Sequence, residues 1–238
     1  MVYGVILASG VGKRMGADIP KQYLEVCGKP IILYTITSML KCKRIDYIYI
    51  AVSAPYVDYI KKLTRENFSD FDNKKFKIVV GGKERIDTIN NVTNAILDQN
   101  TITDDDVIIF HDAVRPFVSK QILEDSIDGA REKGATVAGT KAVDTMLFSI
   151  DGIEVNSIPD RSTLFHGQAP DSFRLNYFLE LRDNLTEEQK SKITGTSQFC
   201  TYNNKPIYLI QGDDLNFKIT TVADLERAET IINNSERG

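Results

Sequence analysis

Short apolar runs alternate with amphipathic stretches of helix length through the first 140 residues of the chain. The apolar runs predict strands at residues 3–8, 47–52, 76–80, 107–110 and 135–139. The amphipathic stretches predict helices at residues 30–40, 56–66, 85–97 and 119–132. Apolar strands separated by helices of about ten residues or more are typical of βαβ units. The pattern therefore predicts an α/β fold with a mostly parallel, twisted sheet flanked by helices.

The rhythm of the sequence changes after residue 143. Residues 143–172 carry short apolar segments and a hairpin signal at Asp151-Gly152, with no helix between them. We expect these residues to form a protruding β arm on a single domain that spans residues 1–238. Helices resume at residues 175–182 and at the capping-box sequence Thr186-Glu-Glu-Gln189. A strand at residues 207–210 precedes a last helix at residues 222–233.

The predicted topology places three distant segments together. In open parallel sheets, ligands bind beyond the carboxyl ends of the strands. Residues 8–15, 81–87 and 111–116 each follow a predicted strand, so they are expected along one rim of the sheet. This convergence predicts a ligand site at that rim.

The segment after the first strand reads L-A-S-G-V-G-K-R-M-G and is followed by P-K-Q. Gly10 and Gly12 permit positive φ angles and a close approach of the backbone, so successive N–H groups can point at phosphate oxygens. Arg14 and Lys21 add cationic donors that can neutralise charge on a phosphoryl group in transfer. This loop predicts phosphate binding, and the alternative is a glycine turn with solvated cations.

Two familiar phosphate-binding loops do not match this segment. A P-loop needs Gly-Lys followed by Ser or Thr, but Gly12-Lys13 is followed by Arg14. The dinucleotide fingerprint needs its third glycine three residues after the second, whereas Gly16 comes four residues after Gly12. The loop therefore matches neither fingerprint, and phosphate binding by this segment stays a prediction.

Composition and charge limit the partners of this chain. A net charge of −4 argues against a general affinity for nucleic acid or for an anionic membrane. No apolar run approaches the roughly 18–20 residues that a membrane span needs. The three cysteines, Cys27, Cys42 and Cys200, are odd in number and widely spaced, so they indicate neither a disulfide framework nor a zinc site. The apolar start runs into the glycine loop and indicates a strand, so we expect a soluble, cytoplasmic protein.

Seven motifs along the chain carry a family resemblance. They are L-A-S-G-x-G-x-R-M-G with P-K-Q-Y, G-G-K-E-R-I-D-T at 81–88, H-D-A-V-R-P at 111–116, V-D-T at 143–145, I-P-D-R at 158–161, G-Q-A-P at 167–170 and F-K-I-T-T at 217–221. In this order and spacing the sequence resembles the cytidylyltransferases that activate sugar-alcohol phosphates. The resemblance covers nearly the whole chain and implies a Rossmann-like nucleotidyltransferase fold.

The resemblance implies a reaction and residues that carry it out. A phosphate oxygen of the acceptor attacks the α-phosphorus of CTP, which gives a CDP-linked product and pyrophosphate. A phosphate dianion is already a nucleophile at neutral pH, so catalysis depends on positioning and charge stabilisation. By similarity, Arg14 and Lys21 are catalytic and stabilise the transition state. The implied substrate-binding residues are Leu7, Ala8, Ser9, Gly10, Gly82, Lys83, Glu84, Arg85, Ile86, Asp87, Thr88, Asp112, Ala113, Thr145, Arg161 and Lys218.

A divalent cation is expected with the triphosphate. Mg²⁺ carried in by CTP would keep several waters and take few protein ligands. Asp112 is the candidate carboxylate near that ion, and the alternative is that Asp112 caps the turn before Pro116. We expect the neighbouring Arg115 to pair with a carboxylate, and His111 to be a buried histidine at the edge of the core.

Residues 81–88 and the two cations Arg161 and Lys218 are further candidates for substrate recognition. Residues 81–88 are expected to read the cytosine edge with their backbone and the Thr88 hydroxyl, and otherwise form a plain strand-to-helix turn. Arg161 and Lys218 match family positions that orient the acceptor phosphate. Family members dimerise through the β arm, and the residue corresponding to Arg161 enters the partner's site. The resemblance therefore implies a homodimer with shared sites.

Sequence motifs in the C-terminal half of the chain predict which phosphate is the acceptor. Enzymes for 2-C-methyl-D-erythritol 4-phosphate usually carry T-D-E-A where this chain has Thr194-Gly-Thr-Ser. The ribitol-5-phosphate branch has I-P-x-R, G-Q-T-P-Q-x-F and K-[IV]-T-T, and this chain follows these motifs except at Ala169 and Asp171. Enzymes of that branch also tend to have S-D-A-C near residue 194, which this chain lacks. We predict D-ribitol 5-phosphate, with 2-C-methyl-D-erythritol 4-phosphate of isoprenoid synthesis as the alternative. A non-catalytic nucleotide-binding protein is a third hypothesis, disfavoured by the presence of both Arg14 and Lys21.

Overall fold

A computed structural model describes residues 1–10, 19–68 and 75–235 of the chain. Its nine strands are β1 (Val2–Ala8), β2 (Glu25–Val26), β3 (Lys29–Pro30), β4 (Tyr47–Val52), β5 (Phe76–Val80), β6 (Val107–Asp112), β7 (Ala135–Lys141), β8 (Phe165–Arg174) and β9 (Tyr208–Gln211). Seven of these strands form one sheet in the order β5-β4-β1-β6-β8-β7-β9, while β2 and β3 form a separate two-stranded ladder. All contacts in the large sheet are parallel except those of β8, which runs antiparallel to β6 and to β7.

Helices cover both faces of the sheet. They are α1 (Ile31–Lys41), α2 (Val57–Asn67), α3 (Arg85–Leu97), α4 (Lys120–Lys133), α5 (Leu175–Asp183), α6 (Glu187–Ser191), α7 (Gln198–Tyr202) and α8 (Val222–Ser235). In the described part of the chain, none of them combines the length and the apolarity needed to cross a bilayer. The prediction of a mostly parallel sheet flanked by helices is confirmed.

The alternation of side chains along each strand divides the core into two layers. In β1, Ile6 packs with apolar residues of α1, α2 and α4 on one face. The adjacent Val5 points to the other face and packs with residues of α3, α5 and α7. Successive residues of a strand face opposite sides, so a strand buried on both faces is apolar along its whole length. This burial explains why the continuous runs at β1, β4 and β6 were recognisable in the sequence.

The predicted β arm of residues 143–172 is too long. Its last part lies in the central sheet as β8, which pairs with β6 through residues 171–174 and with β7 through residues 165–173. This segment carries small and polar residues, so it lacks the apolar run that marks the other central strands. What protrudes is residues 142–164, called the arm below, with its base closed by the Ala142 N–H donating to the Leu164 carbonyl at 3.0 Å. The arm holds one isolated antiparallel bridge, between Phe148 and Ser157.

Candidate functional site

A cavity of about 230 Å³ lies at the carboxyl ends of β1 and β6, beside the first turn of α3. This cavity is called the first pocket. Residues from five separate segments line it: Leu7, Ser9, Gly10, Lys21, Gln22, Lys83, Glu84, Arg85, Thr88, Asp112, Ala113, Val114 and Lys218. The three segments predicted to share one rim, which include residues 8–10, 81–87 and 111–116, therefore meet here together with the segment around Lys218.

A hydrogen-bond network joins β1 to α3 in one wall of the first pocket. The Thr88 hydroxyl lies 2.9 Å from the Ser9 hydroxyl, accepts the Gly82 N–H at 3.0 Å and donates to the Glu84 carbonyl at 3.2 Å. An added Cβ at Gly81 would lie 2.4 Å from the Cβ of Ser9, so the two segments approach closely because residue 81 is glycine. With these three partners, the Thr88 hydroxyl supports the wall of the pocket. The expectation that it reads the cytosine edge stays a prediction.

Gln22 fixes the start of the glycine loop. Its side-chain amide is buried and donates to the Ala8 carbonyl at 2.6 Å and to the Gly10 carbonyl at 3.0 Å. Lys21, next to it, lines the pocket, and its ammonium donates to the Ile219 carbonyl at 3.3 Å. Gln22 was not among the predicted site residues, although the P-K-Q motif contains it. Arg14, the other predicted catalytic residue, lies outside the described residues.

The start of α3 lines the pocket with Glu84, Arg85 and Thr88. Glu84 and Asp87 form a reciprocal capping box, in which Asp87 accepts the Glu84 N–H at 3.0 Å. Gly82 is needed for this turn because an added Cβ would lie 2.0 Å from the Cβ of Asp87. Ile86 is buried in the core. Four residues predicted to bind substrate do not line the pocket: Ala8, Gly82, Ile86 and Asp87. The last three build the turn, and Ala8 is buried at the end of β1.

Asp112 is the centre of a charge cluster at the floor of the pocket. Its Oδ2 lies 3.0 Å from the Lys218 ammonium and 3.3 Å from Nε of Arg115, and its Oδ1 lies 3.8 Å from Nη1 of Arg85. Burial alone would raise the pKa of the Asp112 carboxyl, but Lys218, Arg85 and Arg115 together hold that pKa well below its usual range. The carboxylate is therefore ionised, and it pairs with Arg115 and with two cations that line the first pocket, Arg85 and Lys218. The prediction that Arg115 pairs with a carboxylate is confirmed.

Asp112 does not fit the role of a direct Mg²⁺ ligand in this arrangement. Mg²⁺ requires oxygen ligands with free lone pairs and a near-octahedral shell. Oδ2 already faces Lys218 and Arg115, and Oδ1 lies 3.8 Å from Arg85, so a divalent ion bonded to Asp112 would lie among three cations. No group of three His, Cys, Asp or Glu residues in residues 1–10, 19–68 and 75–235 could hold a metal ion. The alternative role, at the turn before Pro116, is supported by the Arg115 N–H, which donates to the Asp112 carbonyl at 3.1 Å.

His111 is fully buried beneath this cluster. Its Nε2 lies 3.0 Å from the Arg115 carbonyl, and burial lowers the pKa of the imidazole to about 4. The ring is therefore neutral at physiological pH and packed against the backbone of the turn. The prediction of a satisfied, buried histidine at the edge of the core is confirmed for its burial, but Nδ1 has no hydrogen-bond partner among the described residues.

A second pocket, of about 220 Å³, adjoins the first and shares Arg85, Asp112 and Lys218 with it. Its remaining walls come from Arg115, from β8 around Asp171 and from residues 194–197. Burial raises the pKa of the Asp171 carboxyl to about 6, although hydrogen bonds from the Thr196 hydroxyl and the Ser197 N–H and the charge of Arg85 act in the opposite direction. Sequence reasoning did not identify this carboxylate as a site residue, because its partners are 25 residues away.

Thr145 and Arg161 lie apart from both pockets. Both are exposed on the arm, and Nη1 of Arg161 donates to the Val143 carbonyl at 3.0 Å. Neither residue lines the first or the second pocket of its own chain. The fold therefore does not bring these two predicted substrate-binding residues to the site within one subunit.

Comparisons with known proteins agree with this architecture. A family model described as IspD, 2-C-methyl-D-erythritol 4-phosphate cytidylyltransferase, matches residues 2–234. A solved 4-diphosphocytidyl-2C-methyl-D-erythritol synthase from Anaerococcus prevotii superposes with a TM-score of 0.81 at 24% identity, over 98% of this chain and 96% of that one. The 2-C-methyl-D-erythritol 4-phosphate cytidylyltransferase of Francisella tularensis gives 0.78 at 25% identity, over 96% and 98%.

Proposed function

The chain belongs to the 2-C-methyl-D-erythritol 4-phosphate cytidylyltransferase family, and on this premise we propose that it transfers the cytidylyl group of CTP to 2-C-methyl-D-erythritol 4-phosphate. One observation carries the proposal. The first pocket combines the start of a helix with Lys21, Lys83, Arg85 and Lys218, and it opens beside a second pocket that shares part of this cationic floor. A triphosphate and an acceptor phosphate can thus be held side by side.

CTP is proposed to occupy the first pocket. A helix N-terminus carries partial positive charge, which favours a phosphate group at the first turn of α3. Lys21 and Lys83 line the same cavity and supply cationic donors. Gly10 stands where β1 leads into the glycine loop, so its backbone can approach the phosphates. A divalent cation is proposed to enter bound to the triphosphate and to water.

The acceptor is proposed to occupy the second pocket, with its phosphate toward Lys218 and Arg115. One of its phosphate oxygens forms a bond to the α-phosphorus of CTP, while the bond from that phosphorus to the bridging oxygen breaks and pyrophosphate leaves. Lys21, together with Arg14, is proposed to stabilise the charge on the transferring group. The acceptor needs no base, and His111 is neutral and turned to the backbone, so it is not assigned a step.

The arm is proposed to join two copies of this chain. Its exposed apolar side chains are Val143, Met146, Leu147, Phe148, Ile150, Ile153, Val155 and Ile158. Ile150 is 80% exposed and Ile153 is 89% exposed, and so many exposed apolar side chains in one short segment favour an interface with another copy. Arg161 lies at the base of the same arm, so a dimer formed there can deliver it to the partner's second pocket.

D-ribitol 5-phosphate is a second candidate acceptor. This chain carries Gly195 and Thr196 where the erythritol enzymes usually have acidic residues. The Thr196 hydroxyl and the Ser197 N–H both donate to Asp171 in the wall of the second pocket. The composition of this wall therefore differs from the erythritol pattern. The matching family and the similar solved structures bear the name of the erythritol substrate, which favours that acceptor for this chain.

Pyrophosphate release tests the proposal directly. The wild-type protein is incubated with each of CTP, UTP, ATP and GTP, with either acceptor phosphate or none. We expect release with CTP and 2-C-methyl-D-erythritol 4-phosphate, and loss of release when EDTA exceeds the divalent cation. Faster release with ribitol 5-phosphate would show that ribitol 5-phosphate is the acceptor and would contradict the erythritol assignment. Faster release with another nucleotide would contradict the cytidylyl assignment. No release with any pair would favour a non-catalytic nucleotide-binding protein.

A further inference from the structure

The strand β8 contributes one carboxylate, Asp171, to the wall of the second pocket. We propose that Asp171 determines acceptor specificity by accepting a hydrogen bond from a hydroxyl group of the sugar-alcohol phosphate. The inference rests on the proposed function, because it assigns the acceptor to the second pocket. It adds a residue outside the charge cluster of Asp112 to the set that recognises substrate.

The two oxygens of Asp171 have different surroundings. Oδ2 accepts both the Thr196 hydroxyl and the Ser197 N–H, the latter at 2.9 Å. Oδ1 accepts no hydrogen bond from the described residues, and it is not one of their fully buried, unpartnered atoms, so it keeps contact with the pocket. The residue as a whole is only 9% exposed. One oxygen is thus anchored while the other is presented to a ligand in a fixed direction.

The charges of the second pocket match a molecule with two different ends. Lys218 and Arg115 stand on one side, and their counter-ion Asp112 is already engaged with them. Asp171 has no ion pair within 4.0 Å among the described residues, so its charge remains available to a hydrogen-bond donor. A sugar-alcohol phosphate carries a dianion for the cations and hydroxyl donors for the carboxylate.

The same carboxylate disfavours other ligands. A buried charge without a partner is costly, so the pocket is better satisfied by a hydroxyl donor than by an apolar tail. An acceptor with a second anionic group at this end would meet like charge and be repelled. The pocket should therefore select phosphates with a neutral, hydroxylated tail.

A structural role for Asp171 is the competing explanation, because Oδ2 holds residues 196 and 197 in place. The two roles differ in what they predict for different acceptors. A hydroxyl reader affects only acceptors that carry the hydroxyl, whereas a loop anchor affects all acceptors equally. An acceptor with its hydroxyls removed separates these outcomes.

The experiment compares wild type with Asp171→Asn, using 2-C-methyl-D-erythritol 4-phosphate, D-ribitol 5-phosphate and n-butyl phosphate, which lacks hydroxyls. We expect kcat/KM for the preferred polyol phosphate to fall about 10- to 100-fold, the loss expected when a hydrogen bond to a charged group is removed. The KM for CTP should change less than about twofold, and the weak rate with butyl phosphate should change little. Asp183→Asn, on an exposed carboxylate of α5, should behave as wild type.

Equal losses with all three phosphates, or an unchanged kcat/KM for the polyols, would overturn the assignment of Asp171. If wild type shows no turnover, the proposed function fails, and calorimetric titration of the same phosphates still measures whether Asp171→Asn weakens polyol binding selectively. If Asp171→Asn does not fold, Thr196→Val is used, which removes one anchor and leaves the carboxylate. It should lower polyol kcat/KM with little change for butyl phosphate, and an equal change for both would contradict the inference.

Discussion

The carboxylate in the floor of the first pocket has three cationic partners from its own chain, whereas the apolar side chains of the arm face solvent. Asp112 lies within 3.8 Å of Arg85, Arg115 and Lys218. Phe148 and Ile153 in the arm are 53% and 89% exposed. The pocket is therefore assembled within one subunit, while the arm presents a surface that another subunit can complete. CTP binding is expected to be a property of each chain, and completion of the acceptor site a property of the dimer.

The largest expected effect tests the pocket side of this comparison. Lys21→Ala should lower kcat by about 100- to 1,000-fold, because it removes a cation from the developing charge on the transferring phosphoryl group. The KM for CTP should change much less, since Lys83, Arg85 and Lys218 remain in the first pocket. Steady-state pyrophosphate release measures both quantities. A kcat within tenfold of wild type would contradict the role of Lys21, and Lys62→Ala, on the exposed face of α2, serves as the control.

A complementation experiment tests the arm side. Lys21→Ala and Arg161→Ala chains are mixed under conditions that exchange subunits. If Arg161 acts across the dimer, one site in each hybrid has both residues, so activity should recover to about a quarter of wild type for random pairing in a twofold dimer. If both residues act within one chain, the mixture should be no more active than the single variants. Ile153→Asp, introduced into both chains, should abolish the recovery by weakening the interface, which sedimentation measures directly.

A pH series compares the two carboxylates of the adjoining pockets. The folded-state pKa of Asp112 is depressed, so its contribution to stability is present above about pH 4 and is lost as pH falls. The folded-state pKa of Asp171 is raised to about 6, so the protein should lose stability as pH rises from about 4 to 6. Urea unfolding should show a loss from Asp171 on the order of 3 kcal/mol over this window.

Asp171→Asn should remove the loss that Asp171 causes. Between about pH 4 and 6, the free energy of unfolding of the variant should therefore rise relative to that of wild type. An identical pH dependence for the two proteins would contradict the burial of an unpaired carboxylate in the second pocket. Asp183→Asn is again the matched control, because the Asp183 side chain is 65% exposed.

The smallest expected effect concerns the wall that joins β1 to α3. Thr88→Val keeps the shape of the side chain but leaves the Gly82 N–H without its acceptor and removes the contact with Ser9. The free energy of unfolding should fall by about 1–2 kcal/mol, with a comparable loss in the affinity for CTP. Chemical denaturation and calorimetric titration measure the two losses. Thr230→Val, whose hydroxyl donates only to its own exposed helix, should change neither by more than about 0.5 kcal/mol.

The sequence was sufficient for the elements that are buried on a regular period. The predicted bounds of β4, β5 and α3 agree with the structure because their apolar positions repeat with the period of the element. Most of the strand β8 was taken for part of the arm, because most of its residues are small or polar and its place depends on pairing with β6 and β7. The helix α7 was missed because five residues are too few to show a helical period.

The site was predictable in its location more than in its contacts. The order of strands and helices places residues 8–10, 81–87 and 111–116 at one rim, and the first pocket lies there. The pairing of Asp112 with Lys218 joins residues 106 positions apart, and the hydrogen bonds from Thr196 and Ser197 to Asp171 span about 25 positions. Such contacts depend on tertiary packing, which periodicity and local motifs do not encode.

The measurement that tests the central claim most directly is the identification of both products from CTP and 2-C-methyl-D-erythritol 4-phosphate. Mass spectrometry and a pyrophosphate assay on the same reaction should detect a CDP-linked polyol and pyrophosphate in equal amounts, with neither product from UTP, ATP or GTP. Pyrophosphate without a CDP-linked polyol, or a faster reaction with another nucleoside triphosphate, would contradict cytidylyl transfer at these two pockets.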